Sequence, residues 1–194
     1  MNRVIFMALY DLALQRKQEI ENNLLTLMGE IPYDRIAVKD LTDNLQIARK
    51  TFYHYFHNKQ ACLESLMDRM ILESCLSHIS LPQQASLQEI QQERLLFWRR
   101  NKAFLEAVYR NHLSFVFIER AMLYVLREDP TIQNQRSAHA LIWDEDLLYG
   151  YISGQICLIL KWCQDGFNRP LEEMIQISLQ LALEPVVPHN QETD

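Results

Sequence analysis

Between Ala48 and Gln60 the chain carries Arg49, Lys50, Thr51, Tyr53, His54 and, after Asn58, Lys59. Ammonium and guanidinium groups pair with phosphate oxygens, and hydroxyls donate to them. A guanidinium also fits the O6 and N7 edge of guanine. The window 45–60 holds three basic residues and no acidic one, with His54 and His57 beside them. Phe52 and Phe56 are spaced i and i+4, so a helix through them turns both rings to a core. That leaves Arg49, Lys50, Tyr53 and His54 facing outwards, with Thr51 at the boundary. An Arg-Lys pair by itself is usually a solvated face. Its place at the start of a short helix, just after another short helix, points to docking on a nucleic acid.

The elements that position these side chains are legible on either side. Val38, Leu41 and Leu45 recur at i, i+3 and i+7 and predict a helix over 38–44. A four-residue break, Leu45 to Ala48, separates it from a helix over 49–55. Two short helices crossing over a tight turn is the geometry that seats the second in a major groove. Upstream, Ile20, Leu24, Leu27 and Met28 predict a helix over 4–30, with Gly29 as a left-handed cap before Pro32. Tyr33 to Ile36 is a connector.

Downstream, apolar spacing predicts helices over 59–79, 87–109 (interrupted near Asn101), 112–127, 140–165 and 171–183. Ser86 with Glu89 forms a capping box. Asp129-Pro130 ends one helix, 131–138 is a loop, and Asp165-Gly166 closes the next helix. Glu172 and Glu173 suit the first turn of the last one. Residues from 184 onward have no helical pattern. The fold class is therefore all-α.

Composition agrees. Of 194 residues, 4 are Gly and 6 Pro, while 48% are apolar. No apolar run is long enough to span a bilayer. The short apolar patch at the N-terminus has no small-residue cleavage site and is broken by Asp11, so a first helix is expected there, not a leader. The net charge of -6 is unevenly spread: residues 1–60 sum to +1 and 61–194 to -7. The positive field is local. Cys62, Cys75, Cys157 and Cys163 form no C-x-x-C pair and sit in apolar helical patterns, as buried or half-buried thiols of a reducing cytosol would. There is no G-x-S-x-G, P-loop or dinucleotide glycine pattern, and no H-E-x-x-H. No catalytic residue, metal ligand or cofactor is assigned. Asp144-Glu145-Asp146 spread around a helix as a solvated face, and Arg99, Arg100 and Lys102 read as a basic surface.

These residues resemble the tetracycline-repressor-like (TetR/AcrR) transcriptional regulators. The likeness rests on Ile36-Ala37-Val38-Lys39-Asp40-Leu41, on Ile47-Ala48-Arg49-Lys50-Thr51-Phe52-Tyr53-His54-Tyr55-Phe56, and on Asn58-Lys59 and Leu63. It covers about residues 15–65, with a fainter echo in Leu160-Lys161-Trp162-Cys163-Gln164-Asp165-Gly166. It implies a DNA-binding head over 1–58, a ligand-binding and dimerisation body over 59–184 and a tail over 185–194. DNA contacts are implied for Lys39, Arg49, Lys50, Thr51, Tyr53, His54 and Lys59. The partners implied are a double-stranded, pseudo-palindromic operator, a second copy of the chain joined through the last two long helices, and a small-molecule effector. A repressor in the cytoplasm, without membrane contact, is the expected setting. For the effector cavity we single out Trp98, Phe104, Phe117, Tyr124, Trp143 and Tyr151.

Four positions depart from the common pattern. Gln46 replaces a turn Gly, which means strain if φ is positive there. Ala48 replaces a capping Ser or Thr, at a cost of about 1 kcal/mol. Lys50 replaces a small residue and Ala37 a frequent Thr. An alternative with the same fold is a partner-dependent co-regulator whose body binds a protein and not a metabolite.

Overall fold

A computed structural model describes residues 2–82, 84–128 and 145–183, with side chains described from residue 11 onward except at 125–128, 145, 147, 182 and 183. Among them are nine α-helices and no strand: α1 (Asn2–Glu30), α2 (Val38–Asn44), α3 (Arg49–Tyr55), α4 (Lys59–Leu76), α5 (Leu87–Arg100), α6 (Lys102–Arg110), α7 (Ser114–Glu128), α8 (Glu145–Gln164) and α9 (Leu171–Leu183). A 3-10 turn, Tyr33–Arg35, joins α1 to α2. None of the described helices is long and apolar enough to cross a membrane.

The chain packs as two compact units, Met1–Glu73 with Ala103–Arg120, and Ser74–Lys102 with Ala121–Asp194. The core of the first joins Ile20 and Leu24 of α1, Leu41 of α2, Phe52 and Phe56, Leu63, Leu66 and Met67 of α4, and Phe104, Leu105 and Phe117. Buried polar ties supplement it. Glu21, 1% exposed, accepts from Arg69 Nε at 2.6 Å and from Ser65 Oγ at 2.7 Å, locking α1 to α4. Arg120 pairs with Asp68 through both Nε and Nη2, tying α7 to α4. Residues 11–15 of α1 are exposed, Leu12 by 62%.

In the second unit α5 packs on α9 and α8. Leu95, Phe97, Trp98, Leu148, Ile152, Ile159, Trp162, Met174 and Ile175 are buried. Ser178 donates to Gln155 Oε1 at 2.7 Å, and Gln155 Nε2 returns a bond to the Ser178 carbonyl at 2.9 Å. Gln91 of α5 reaches the Tyr151 hydroxyl at 3.3 Å. The capping box at Ser86 and Glu89 forms, with Ser86 N donating to Glu89 Oε2 at 2.7 Å.

Three helices end in the same way. After α2, Gln46 N donates to Asp43 O and Ile47 N to Thr42 O. After α6, His112 N donates to Tyr109 O and Leu113 N to Val108 O. After α8, Gly166 N donates to Cys163 O and Phe167 N to Trp162 O. This bond pair is the Schellman stop, and its pivot residue is left-handed. The pivots have φ of 54° at Gln46, 56° at His112 and 69° at Gly166. Phe167 follows with φ 58° and packs edge-on against Trp162, which supplies the apolar contact such stops use.

Some sequence expectations are corrected. Gly29 is not a left-handed cap: α1 runs through it to Glu30, and Ile31 N still reaches Leu27 O at 2.9 Å. The helix stops at Pro32, which has no N–H and disfavours helical backbone before it. The helix from Lys59 ends at Leu76 and continues as single turns to Leu81. Cys157 is exposed, whereas Cys75 is half-buried as expected. The expectations for Asp129-Pro130, for residues 131–138 and 140–144, and for the tail lie outside the described residues.

Replacing Arg69 by Met leaves the Glu21 carboxylate buried with Ser65 as its remaining partner. We expect a loss of about 3 kcal/mol in urea unfolding. A midpoint equal to wild type would show that the pair does not hold α1 to α4.

Candidate nucleic-acid interface

The outward face of α3 follows from what it buries. Phe52 is 0% and Phe56 3% exposed, and their rings sit 5.8 Å apart. With those two fixed inwards, the helical period turns Arg49, Lys50, Tyr53 and His54 into solvent, and all four are exposed. Thr51 is half-buried at the boundary. Tyr53, 55% exposed, rests its ring edge-on against Phe52 at 5.5 Å, which limits its rotamers while the hydroxyl stays free to bond. His54 stacks edge-on to Tyr55 at 5.0 Å. Lys39 is exposed on α2.

The short helices are held by neighbours more than by their own caps. Ala37 and Ala48 lend no side-chain cap, and both have extended backbone. At α2 the Asp40 carboxylate bonds back to Ala37 N at 2.7 Å, the reciprocal half of a capping box. Its last turn is gripped by the buried Asn23, which donates to Leu41 O at 3.0 Å and accepts from Asn44 Nδ2. The turn itself is the Schellman stop at Gln46, whose positive φ confirms the strain expected of a non-glycine residue there. At α4, Asn58 Oδ1 accepts from Ala61 N at 2.8 Å.

Lys59 is placed differently from its cationic neighbours. It is half-buried, with Nζ donating to the Tyr33 and Ile36 carbonyls at 2.6 and 2.7 Å and lying 4.0 Å from the Tyr33 ring centre. Burial lowers its pKa, against the raising pull of Asp34 and Asp40. Desolvation likewise pushes the Tyr33 phenol up to about 12. Two of the ammonium's protons therefore clamp the connector.

Residues 24–66 match the family model for bacterial regulatory proteins of the tetR family. The head is that of a TetR-family regulator. The match runs from the second half of α1 through α2 and α3 into α4, so it takes in every element just described. Residues 24–66 thus carry the DNA-binding helices of a TetR-like transcriptional regulator. A comparison with curated proteins finds no match.

Of the six aromatics singled out for an effector cavity, the five among the described residues are divided between the two units. Phe104 and Phe117 are buried in the first unit, edge-to-face at 5.3 Å. Trp98, Tyr124 and Tyr151 belong to the second, where Trp98 is buried and stacks on Phe97 at 5.0 Å. Trp143 lies outside the described residues. Among the described residues no group of three or more His, Cys, Asp or Glu is placed to hold a metal.

Sequence reasoning missed Asn23, Asp40 and Asn58 as the residues that hold the head's helices. A polar residue inside the Ile20–Leu24 apolar stripe was the available signal for Asn23. Asp40, three residues past Ala37, was the signal for the half capping box.

Ala48 already has the backbone of a helix cap, with φ -69° and ψ 144°. Ala48→Ser should therefore raise stability by about 1 kcal/mol in chemical denaturation. No gain would mean that the serine hydroxyl cannot reach the free N–H groups of α3.

Proposed function

We propose that this protein is a homodimeric one-component transcription factor, most simply a repressor, that binds a pseudo-palindromic operator and responds to a small-molecule effector. The observation that carries the reading is the α3 face, where four exposed polar residues stand on a helix whose other side is fixed in the core. In the proposed complex Tyr53, Thr51 and Lys39 bond phosphate oxygens and set the register. Arg49 and Lys50, at the start of α3, reach base edges, and His54 serves either purpose. Lys59 adds its third N–H to a phosphate while holding the connector.

We place the functional boundary at 58/59, with the body over 59–184. Two copies would join through α8 and α9. Support for that comes from their mutual packing through Gln155 and Ser178, and from the exposed Tyr149 and Leu181 on these helices. A second copy places two α3 helices on one duplex, which makes the operator palindromic.

Titration of the full chain against the duplex upstream of its own gene and its neighbours tests the reading. Saturable binding that weakens steeply with salt is expected. No binding to any such duplex at low salt, with or without candidate effectors, would contradict it. Tyr53→Phe should weaken binding to all sequences by a similar factor. Arg49→Ala should also flatten base preference, by about 1–3 kcal/mol at one position of each half-site. An equal loss on specific and random DNA would remove Arg49 from base reading.

A further inference from the structure

The only chain between α1 and the helix-turn-helix is the connector around Tyr33–Arg35, and it is gripped from two sides. From α4, Lys59 holds the Tyr33 and Ile36 carbonyls, and Tyr33 Oη donates to Gln60 Oε1 at 3.0 Å. From the end of α6, Asn111 Oδ1 accepts the Tyr33 backbone N–H at 2.6 Å. The same amide donates to Ala107 O at 2.8 Å and, more weakly, to Met28 O at 3.4 Å. Asn111 thus satisfies carbonyls at the ends of α6 and α1 while holding the connector amide.

The setting of Asn111 makes it a directional contact. It is the last residue before the left-handed pivot His112, and the Schellman bonds fix its backbone. Its bond to Tyr33 spans 78 positions of sequence. Nearer the middle of α6 a cleft of about 310 Å³ opens against α1, with Leu25, Gly29, Ala103 and Ala107 along it. No side chain lies within 4 Å of a Cβ built on Gly29. Open space thus lies beside Gly29, while the Asn111 amide bridges the ends of α6 and α1. A shift of α6 along α1 therefore pulls on the Tyr33 N–H, three residues before Ile36 and five before the start of α2.

We propose that Asn111 is a positioning residue for operator binding: its side-chain oxygen sets the connector, and through it the orientation of α2 and α3. The route runs through the Tyr33 amide and is separate from the grip of α4 on the head. The inference rests on the DNA-binding reading above.

The test uses the full-length protein, the duplex that wild type selects from a randomised library, and sheared random-sequence DNA. In Asn111→Ala the connector amides 33–37 should exchange faster with solvent in DNA-free protein. Affinity for the selected duplex should fall roughly tenfold, with affinity for random DNA within about twofold of wild type. Asn111→Asp keeps the acceptor for Tyr33 and loses the two donors, so it should retain connector protection and wild-type preference. Wild-type affinity in Asn111→Ala, an equal loss on both DNAs, or an aspartate variant as weak as the alanine one would overturn the proposal. If the alanine variant does not fold, the aspartate variant decides: loss of connector protection in it overturns the proposal, and its retention supports it. Failure of wild type to select any duplex would strike the DNA-binding reading, whereas the exchange measurement bears on the clamp alone.

Discussion

The burial of Phe52 and Phe56 is the constraint from which the interface follows. A seven-residue helix has no stability of its own in water, so α3 exists because these two rings are pulled into the head's core. Once they are fixed, the 100° step of the helix leaves no freedom over where Arg49, Lys50, Tyr53 and His54 point. The turn at Gln46 then sets the angle at which this face leaves α2. A left-handed glutamine costs about 1 kcal/mol, and the head tolerates it because two backbone bonds and the packed Leu41 over-determine the stop.

A small head cannot be held by apolar area alone, and this one is held in large part by directed polar ties. Glu21 and Arg69 lock α1 to α4, Asn23 holds the last turn of α2, and Lys59 and Asn111 hold the connector. Each tie satisfies a backbone or carboxylate group that would be costly to bury alone. Lys59 shows the competition between the two uses of a cation. Its charge lies at the edge of the basic window, yet two of its donors are spent on carbonyls. The exposed cations at Lys39, Arg49 and Lys50 carry no such internal duty among the described contacts.

The bounds of α2 and α3, the capping box at Ser86 and the stop at Gly166 were legible in the sequence, because each obeys a rule acting within a few residues. The exposure of Arg49, Lys50, Tyr53 and His54 was legible for the same reason. Gly29 misled because glycine permits a left-handed cap without demanding one, and the helix continued until Pro32 removed a donor. Cys157 lies within an apolar pattern and is nonetheless exposed. Asn23 showed only as a polar residue inside an apolar stripe and Asn111 left no periodic trace, since their partners lie 18 and 78 residues away. The division of the five described aromatics between two units is likewise a matter of tertiary packing, on which spacing along the chain is silent.

Amide hydrogen exchange across the whole chain, with and without the duplex it selects, addresses the central claim most directly. The account predicts that DNA slows exchange in residues 48–55 and at the start of α2, with the body's helices altered far less. Protection confined to α5 or α8, or an α3 that exchanges identically in both states, would contradict it.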